Sequence, residues 1–316
     1  MKSSKVHFSK DTKSENEATS MDPNLAAKLY EDGGFLIIKD FPEGAEFGID
    51  MHSWNTGSKF LGVKMIPAGL HFIYYSPVSK EGSLAPRRGF FHNFTPGQIV
   101  IQKFDIQTEE LLEDVSEEKN VKVRSNLKNI DGNLGPYPYQ SWKKWVSLSN
   151  RITSTSLARL QPKCGPTISS STEIAAPEKV EGLAVAPPDP DTCINFTRIA
   201  RQKYPPGASP AEITRYSMDT SYQLGLFIAL QDSIEEVLVE LQFSFLCFLV
   251  GQNFDSFCQW KQLVAMLCDC GEALLKYPQL FLNFISDMHF QVKWRYFLVC
   301  TQIGCFRCKR FLRTSL

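Results

Sequence analysis

No stretch of this 316-residue chain is apolar for long enough to cross a bilayer. The longest apolar run, Val237 to Gly251, is broken by Glu240 and Gln242 and stops short of the roughly 20 residues that a helical span requires. The first twenty residues are polar and mixed in charge, with no apolar stretch of the kind that marks a secretory signal. No Ser/His/Asp set, glycine-rich nucleotide loop or metalloprotease helix motif is written anywhere, so catalysis has no sequence support. The nine cysteines follow no framework spacing, and most sit in apolar helical patterns where a reduced thiol serves as a small hydrophobe. A reducing intracellular compartment follows as the expectation, and the sequons at Asn93 and Asn195 are then idle.

What is present is enough apolar residue, 43% of the chain, for a sizeable core and two domains. The formal charge of zero hides a regional asymmetry. Summed over Lys, Arg, Asp and Glu, it is about +1 over 21–165, −1 over 166–206, −7 over 207–290 and +6 over 291–316. An acidic helical half repels phosphate backbones, which favours a protein partner over a nucleic acid.

From residue 21 to 162 short aromatic and β-branched segments alternate with turns. Phe35-Leu36-Ile37-Ile38, Gly62 to Ile66, Leu70 to Tyr75 and Gln98 to Phe104 read as strands closed by Pro and Gly turns, in a β-sandwich or partly closed barrel. Glu109 to Leu127 and Tyr139 to Leu160 have helical composition and are expected to pack as accessory helices. Residues 163–206 are rich in Ser and Pro and poor in bulky apolar groups, as in a flexible linker. Residues 207–290 read as an all-α domain. Ser209-Pro210-Ala211-Glu212 is a capping box with proline at the first helical position, and Ser233-Ile234-Glu235-Glu236 repeats the device. Val237, Leu238, Leu241, Phe245 and Phe248 place one apolar face on the helix that follows. Residues 1–20 read as a disordered extension and 291–316 as a basic, cysteine-bearing tail. The fold class expected is therefore α+β, a mainly β N-terminal domain followed by an α-helical one.

Four constellations carry a possible chemistry. Pro67-Ala68-Gly69-Leu70-His71 resembles part of a cupin motif and would make His71 a metal ligand. No paired histidines stand at the spacing the rest of such a site needs, so a half-buried strand histidine is the better reading. Cys268-Asp269-Cys270 places its thiols on diverging helix faces, which favours buried packing for Cys268, and Cys300, Cys305 and Cys308 lack a fourth ligand nearby. Trp142-Lys143-Lys144-Trp145 mixes bases and aromatics as an RNA-binding surface does, but on a helix the tryptophans share a face and turn to the core while the lysines are solvated. Tyr137 and Tyr139, set between prolines, are suited to a protein interface.

Glu46-Phe47-Gly48-Ile49-Asp50, Gly62-Val63-Lys64-Met65-Ile66-Pro67, Leu134-Gly135-Pro136-Tyr137-Pro138-Tyr139, Lys143-Lys144-Trp145, Pro210-Ala211-Glu212-Ile213-Thr214, Glu240-Leu241-Gln242-Phe243 and Trp260-Lys261 occur in consistent order across both halves. In these blocks the chain, from Met21 to about Met288, resembles the cistron-splicing factor family called Aar-two. The resemblance implies a non-enzymatic assembly chaperone of the U5 small nuclear ribonucleoprotein, with no cofactor. It implies binding to the scaffold protein Prp-eight at its RNase H-like and adjacent C-terminal domains, first in the cytoplasm, keeping the helicase Brr-two from docking until maturation in the nucleus. Tyr137, Tyr139, Trp142, Lys143 and Lys144 are the candidate partner-binding residues. Ser169, Ser170, Ser171 and Thr172 are candidate phosphosites, where added negative charge would reposition the contact. After about His289 the tail departs from the family's expected further helices. The competing readings are a cupin-like metal-dependent enzyme and an RNA-binding module.

Overall fold

The computed structural model describes residues 22–78, 85–113, 121, 123, 125–171 and 193–293. The expected extension 1–20, Thr172, Cys300, Cys305 and Cys308 lie outside them.

The β region is a sandwich. One sheet has the order β8-β7-β1-β4-β9 and the other β10-β6-β5-β2-β3. The strands are β1 (Gly34–Lys39), β2 (Glu46–Ile49), β3 (His52–Asn55), β4 (Gly62–Ile66), β5 (Gly69–Ser76), β6 (Arg88–Phe94), β7 (Ile99–Asp105), β8 (Glu110–Glu113), β9 (Leu134–Pro136) and β10 (Ile168–Ser169). All four expected strands are among them. β1 pairs parallel with β7, β4 parallel with β9, and the other neighbours run antiparallel.

Side-chain alternation sorts the apolar residues into layers. Leu36 and Ile38 of β1 meet Phe47, Ile49, Ile73, Tyr75 and Phe94 between the sheets. Phe35 and Ile37 point the other way, beneath α2 (Leu127–Ile130). Tyr30 of α1 (Pro23–Asp32) meets Phe35 edge-on. α1 was not anticipated, although Asp22 as N-cap and Pro23 at the first position are its signals. The helix expected over Glu109–Leu127 is corrected at its start, where Glu110–Glu113 form an edge strand on β7. Residues 114–120 lie outside the description.

At the middle of β5 and β6 the outer face of the second sheet does not meet water, whereas β3 is exposed. Phe72, Tyr74 and Phe91 join one continuous core with the helices that follow β9, the first two from the N-terminal half and the rest from the C-terminal half. These are α3 (Trp142–Ser149), α4 (Ser154–Leu160), α5 (Pro210–Met218), α6 (Ser221–Ala229), α7 (Glu236–Leu249), α8 (Phe254–Cys268), α9 (Glu272–Lys276) and α10 (Pro278–Val292). The result is layered, sheet on sheet on helices, with the sheet buried on both faces. None of the described helices is long and apolar enough to cross a membrane.

α7 is the centre of the helical layer. Every residue from Val237 to Cys247 is buried, so burial extends beyond the single apolar face read from Val237, Leu238, Leu241, Phe245 and Phe248 and takes in Glu240 and Gln242. The capping box at Ser209 forms as read. The one expected at Ser233 does not, because the helix starts at Glu236 and that carboxylate is taken by Arg159 (2.8 Å). The described ends of the expected linker are docked. β10 pairs with β6, and Ile194, Phe196 and Ile199 pack against the helical core.

Candidate partner-binding surface

The chain reaches the candidate surface through β9. Beside β4 in parallel, it turns at Pro136 and Pro138 and enters α3 through a short 3-10 turn at Tyr139–Ser141. Tyr137 sits at this crossing, but its side chain points inward and is 2% exposed. Its hydroxyl donates to Asp50 Oδ2 at 2.7 Å. Burial, then the Asp50 charge, raises the phenol far above its ordinary range. Tyr137 is therefore a buried brace, and its expected place at an interface is corrected.

Asp50 is the hub beneath this surface. It occupies the turn of the β2–β3 hairpin with φ of 53°, a left-handed conformation that Asp tolerates better than most residues. Its Oδ1 accepts the Phe72 N–H (2.8 Å) and its Oδ2 faces His71 Nδ1 (2.6 Å). His71 Nε2 donates to the Pro67 carbonyl at 2.8 Å. Asp50 and His71 are wholly buried, so the Tyr–Asp–His chain resembles a catalytic relay but has no face for a substrate. Both ring nitrogens of His71 are engaged, leaving none for a metal. Among the described residues no group of three His, Cys, Asp or Glu is placed to hold an ion. The network instead ties the β2–β3 turn, β5, the Pro67 turn and the β9–α3 crossing together.

On this base, Tyr139 and Trp142 stack with ring centroids 5.2 Å apart at 21° and lie half-buried against the inter-sheet core. Trp145 is fully buried on the helical side, its Nε1 donating to the Leu70 carbonyl at 2.6 Å. Lys143 and Lys144 are exposed between them. The sequence reading of inward tryptophans and solvated lysines holds, and α3 straddles the end of the second sheet. Lys144 stands near His52, whose pKa is lowered, first by burial, against the pull of Asp50 and with the help of Lys144.

The serines of the expected linker separate in role. Ser169 is exposed in β10. The Ser170 N–H donates to the Arg87 carbonyl (2.7 Å), and Ser171 Oγ accepts the Phe254 N–H at 2.8 Å, at the start of α8. Ser171, just beyond β10, thus caps a helix of the C-terminal half. The thiols reverse the expectation: Cys268 is exposed, and Cys270, just past the helix end, is buried and pushed up to about 11 by that burial.

Three polar clasps between the halves were not foreseen. Arg87 donates to Glu46 (2.8 Å) and to the Val250 carbonyl at the end of α7 (2.7 Å), lying over the Tyr74 ring at 4.4 Å. Glu240 lies 3.6 Å from Arg159 of α4 and also accepts from the Thr197 N–H (2.8 Å) and Gln259 (2.9 Å). Gln242 accepts from the Arg151 N–H (3.0 Å) and donates to Asn150 (3.0 Å) and Asp287 (3.3 Å), which also binds Arg151 Nε (2.7 Å). Their signal was available: two polar residues inside an apolar run mark buried partners as readily as an interruption.

A family model of the AAR2 N-terminal domain matches residues 32–162, and one of the AAR2 C-terminal repeat region matches residues 196–312. The second match extends into the tail that the sequence set apart. The gap between the two falls within the expected linker. Protein AAR2 homolog of Macaca fascicularis is 39% identical over 306 residues, covering 87% of this chain and 79% of that one. The Homo sapiens homolog is 38% identical over 304 residues with the same coverage, and that of Caenorhabditis elegans 33% over 301 residues, covering 87% and 82%. With both halves matched and such identity over most of its length, the chain belongs to the AAR2 family.

Proposed function

We propose that this protein is a non-enzymatic splicing factor that holds the U5 scaffold protein Prp-eight during assembly. It would engage the RNase H-like and adjacent C-terminal domains in the cytoplasm and delay docking of Brr-two until maturation in the nucleus. The observation that carries this reading is membership of the family across both halves. The disposition of chemistry supports it. His71, Asp50 and Tyr137 spend their polar atoms on one another inside the core, while Tyr139, Trp142, Lys143 and Lys144 are left as recognition groups. The mechanism is competitive occupancy, in which a bound chaperone excludes the later helicase. Modification within Ser169–Thr172 would regulate it by adding charge where the two halves are stitched together.

Calorimetry of the full chain with the RNase H-like region of Prp-eight tests this. Stoichiometric binding is expected, weakened by Lys143→Glu with Lys144→Glu, and prior binding should slow Brr-two association. A folded protein that neither binds the scaffold nor delays the helicase would refute it. Stoichiometric metal in the purified protein would instead revive the metal-enzyme reading, and submicromolar, salt-sensitive RNA binding the RNA-module reading.

A further inference from the structure

A sheet end is a row of unsatisfied backbone groups that invites another strand, and proteins blunt it with charge, proline, shortness or a cover. Three of the four ends here are so treated. β8 carries Glu110 and Glu113, and β9 runs into Pro136 and Pro138. β10 is two residues long and is followed by Ser171, bridged to Asn253. β3 has neither proline nor charge, and all four of its residues are exposed.

The register says which groups are free. Thr56 directs both its N–H and its carbonyl to the β2 side, onto Ala45 and Gly44. Pairing of Phe47 with Trp54 and of Ile49 with His52 closes a two-residue turn at Asp50 and Met51. By the alternation of an antiparallel ladder, Trp54 and His52 face β2 with their backbone groups, and Ser53 and Asn55 turn theirs outward. The two outward residues have the spacing a further strand requires. Trp54, 40% exposed, stacks on His52 with centroids 6.4 Å apart at 21°. Beyond His52 stands Lys144, exposed and with no ion-pair partner among the described residues.

We propose that the β3 edge accepts an extended, acidic segment of a protein partner as a sixth strand of the second sheet, with backbone bonds to Ser53 and Asn55, an apolar side chain on Trp54 and a carboxylate on Lys144. Charge selects this occupant. A second copy paired symmetrically across β3 brings two copies of Lys144 together, whereas an acidic strand neutralises one. The surface stands independently of which protein supplies the segment.

The test uses the full chain and blocked, dye-labelled eight-residue peptides read by fluorescence anisotropy. One repeats Val-Thr-Glu-Thr, so that Val and Glu fall on the same face, one repeats Val-Thr-Lys-Thr, and one is the acidic peptide with a central proline. The acidic peptide is expected to bind, with the lysine and proline peptides at least tenfold weaker. Asn55→Pro removes an outward N–H without touching the β2 ladder and should weaken acidic-peptide binding at least tenfold, as should Lys144→Glu. Circular dichroism confirms the fold of each variant, and the proline peptide probes strand pairing on the unaltered protein if Asn55→Pro fails to fold. Equal binding of the acidic and proline peptides, or no acidic binding, overturns the proposal. So does dimerisation of the free chain that Asn55→Pro abolishes. Binding of a single-stranded oligonucleotide that Lys144→Glu abolishes and Asn55→Pro spares would reassign the surface to nucleic acid.

Discussion

Replacing Gln242 by Leu separates the contribution of the clasp from that of apolar packing. Gln242 is fully buried at the centre of α7 and holds the Asn150–Arg151 turn against Asp287 of α10. Leu keeps nearly the same volume, so no cavity opens. The Arg151 N–H loses its acceptor and Asp287 Oδ1 loses its donor, each at about 1–3 kcal/mol. Asn150 is exposed and rehydrates at little cost. The more apolar side chain returns about 1 kcal/mol, leaving a net loss of about 1–5 kcal/mol, a large share of the roughly 5–15 kcal/mol that holds a typical fold. Urea unfolding followed by tryptophan fluorescence reads this as a lower midpoint at unchanged slope. Lys143→Ala, fully solvated, should stay within about 0.5 kcal/mol. Removing both partners, Gln242→Leu with Asp287→Leu, should cost less than the two singles summed, since neither partner is then left unsatisfied. A single-variant loss below about 0.5 kcal/mol, or strict additivity in the double variant, would refute the claim that these polar residues lock the halves together.

Burial raises the carboxyl pKa of both Glu240 and Asp287. The native state therefore binds more protons than the unfolded one, and stability should fall as pH rises from the ordinary carboxylate range through their folded values. Glu240→Gln keeps the acceptor for Thr197 and Gln259 and should flatten that slope in urea midpoints measured across pH. Gly62 has φ of 132°, and a Cβ there would overlap the Leu36 carbonyl oxygen and lie 2.9 Å from the Leu36 carbonyl carbon, so Gly62→Ala should cost at least about 3 kcal/mol in the same assay. Gly57, with open space around it, should tolerate Ala within about 0.5 kcal/mol. Ser171→Ala removes the Oγ acceptor of the Phe254 N–H while the Ser171 carbonyl still accepts it at 3.2 Å, so it should cost about 0.5–1 kcal/mol, whereas Ser169→Ala on the exposed edge should be silent. Equal effects at the two serines would contradict the cross-layer cap.

The β strands and most helices were legible because their period and punctuation agree with their environment. Phe35 to Ile38 reads as a strand buried on both faces, and Ser209-Pro210-Ala211-Glu212 announces a helix whose start lies in water. The misreadings arose where a long-range partner overrode a local signal. Ser233 to Glu236 has the letters of a capping box, but Arg159, far away in sequence, takes the glutamate. Tyr137 between two prolines has the look of an exposed anchor, and only the fold brings Asp50 beneath it. The serines of the expected linker are small and polar as in any flexible connection, yet β6 and α8 supply them with backbone partners.

The same contrast bears on how two halves of opposite character can act as one body. A β-rich half near neutrality and an acidic helical half suggest independent units on a tether, each free to engage its own partner. Instead the second sheet is the floor of the helical core: Phe91 meets Phe243 at 5.2 Å, and the polar clasps fix the angle between them. Apolar contact alone leaves sliding inexpensive, because one hydrophobic neighbour substitutes for another. Directional bonds from Arg87 to the Val250 carbonyl and from the Arg151 N–H to Gln242 do not permit such slippage without leaving buried groups unsatisfied. Under the function proposed above, a chaperone spanning two domains of one scaffold would need that fixed spacing between its own surfaces, since an intramolecular second contact gains effective concentration only when the geometry allows both at once. Loosening the clasps with Gln242→Leu should therefore weaken scaffold binding even though Gln242 is wholly buried and touches no partner, while binding to the isolated RNase H-like region should remain nearly unchanged. Parallel calorimetry with the single region and with the two adjacent regions joined decides it: an equal loss for both ligands would mean that the clasp serves folding alone.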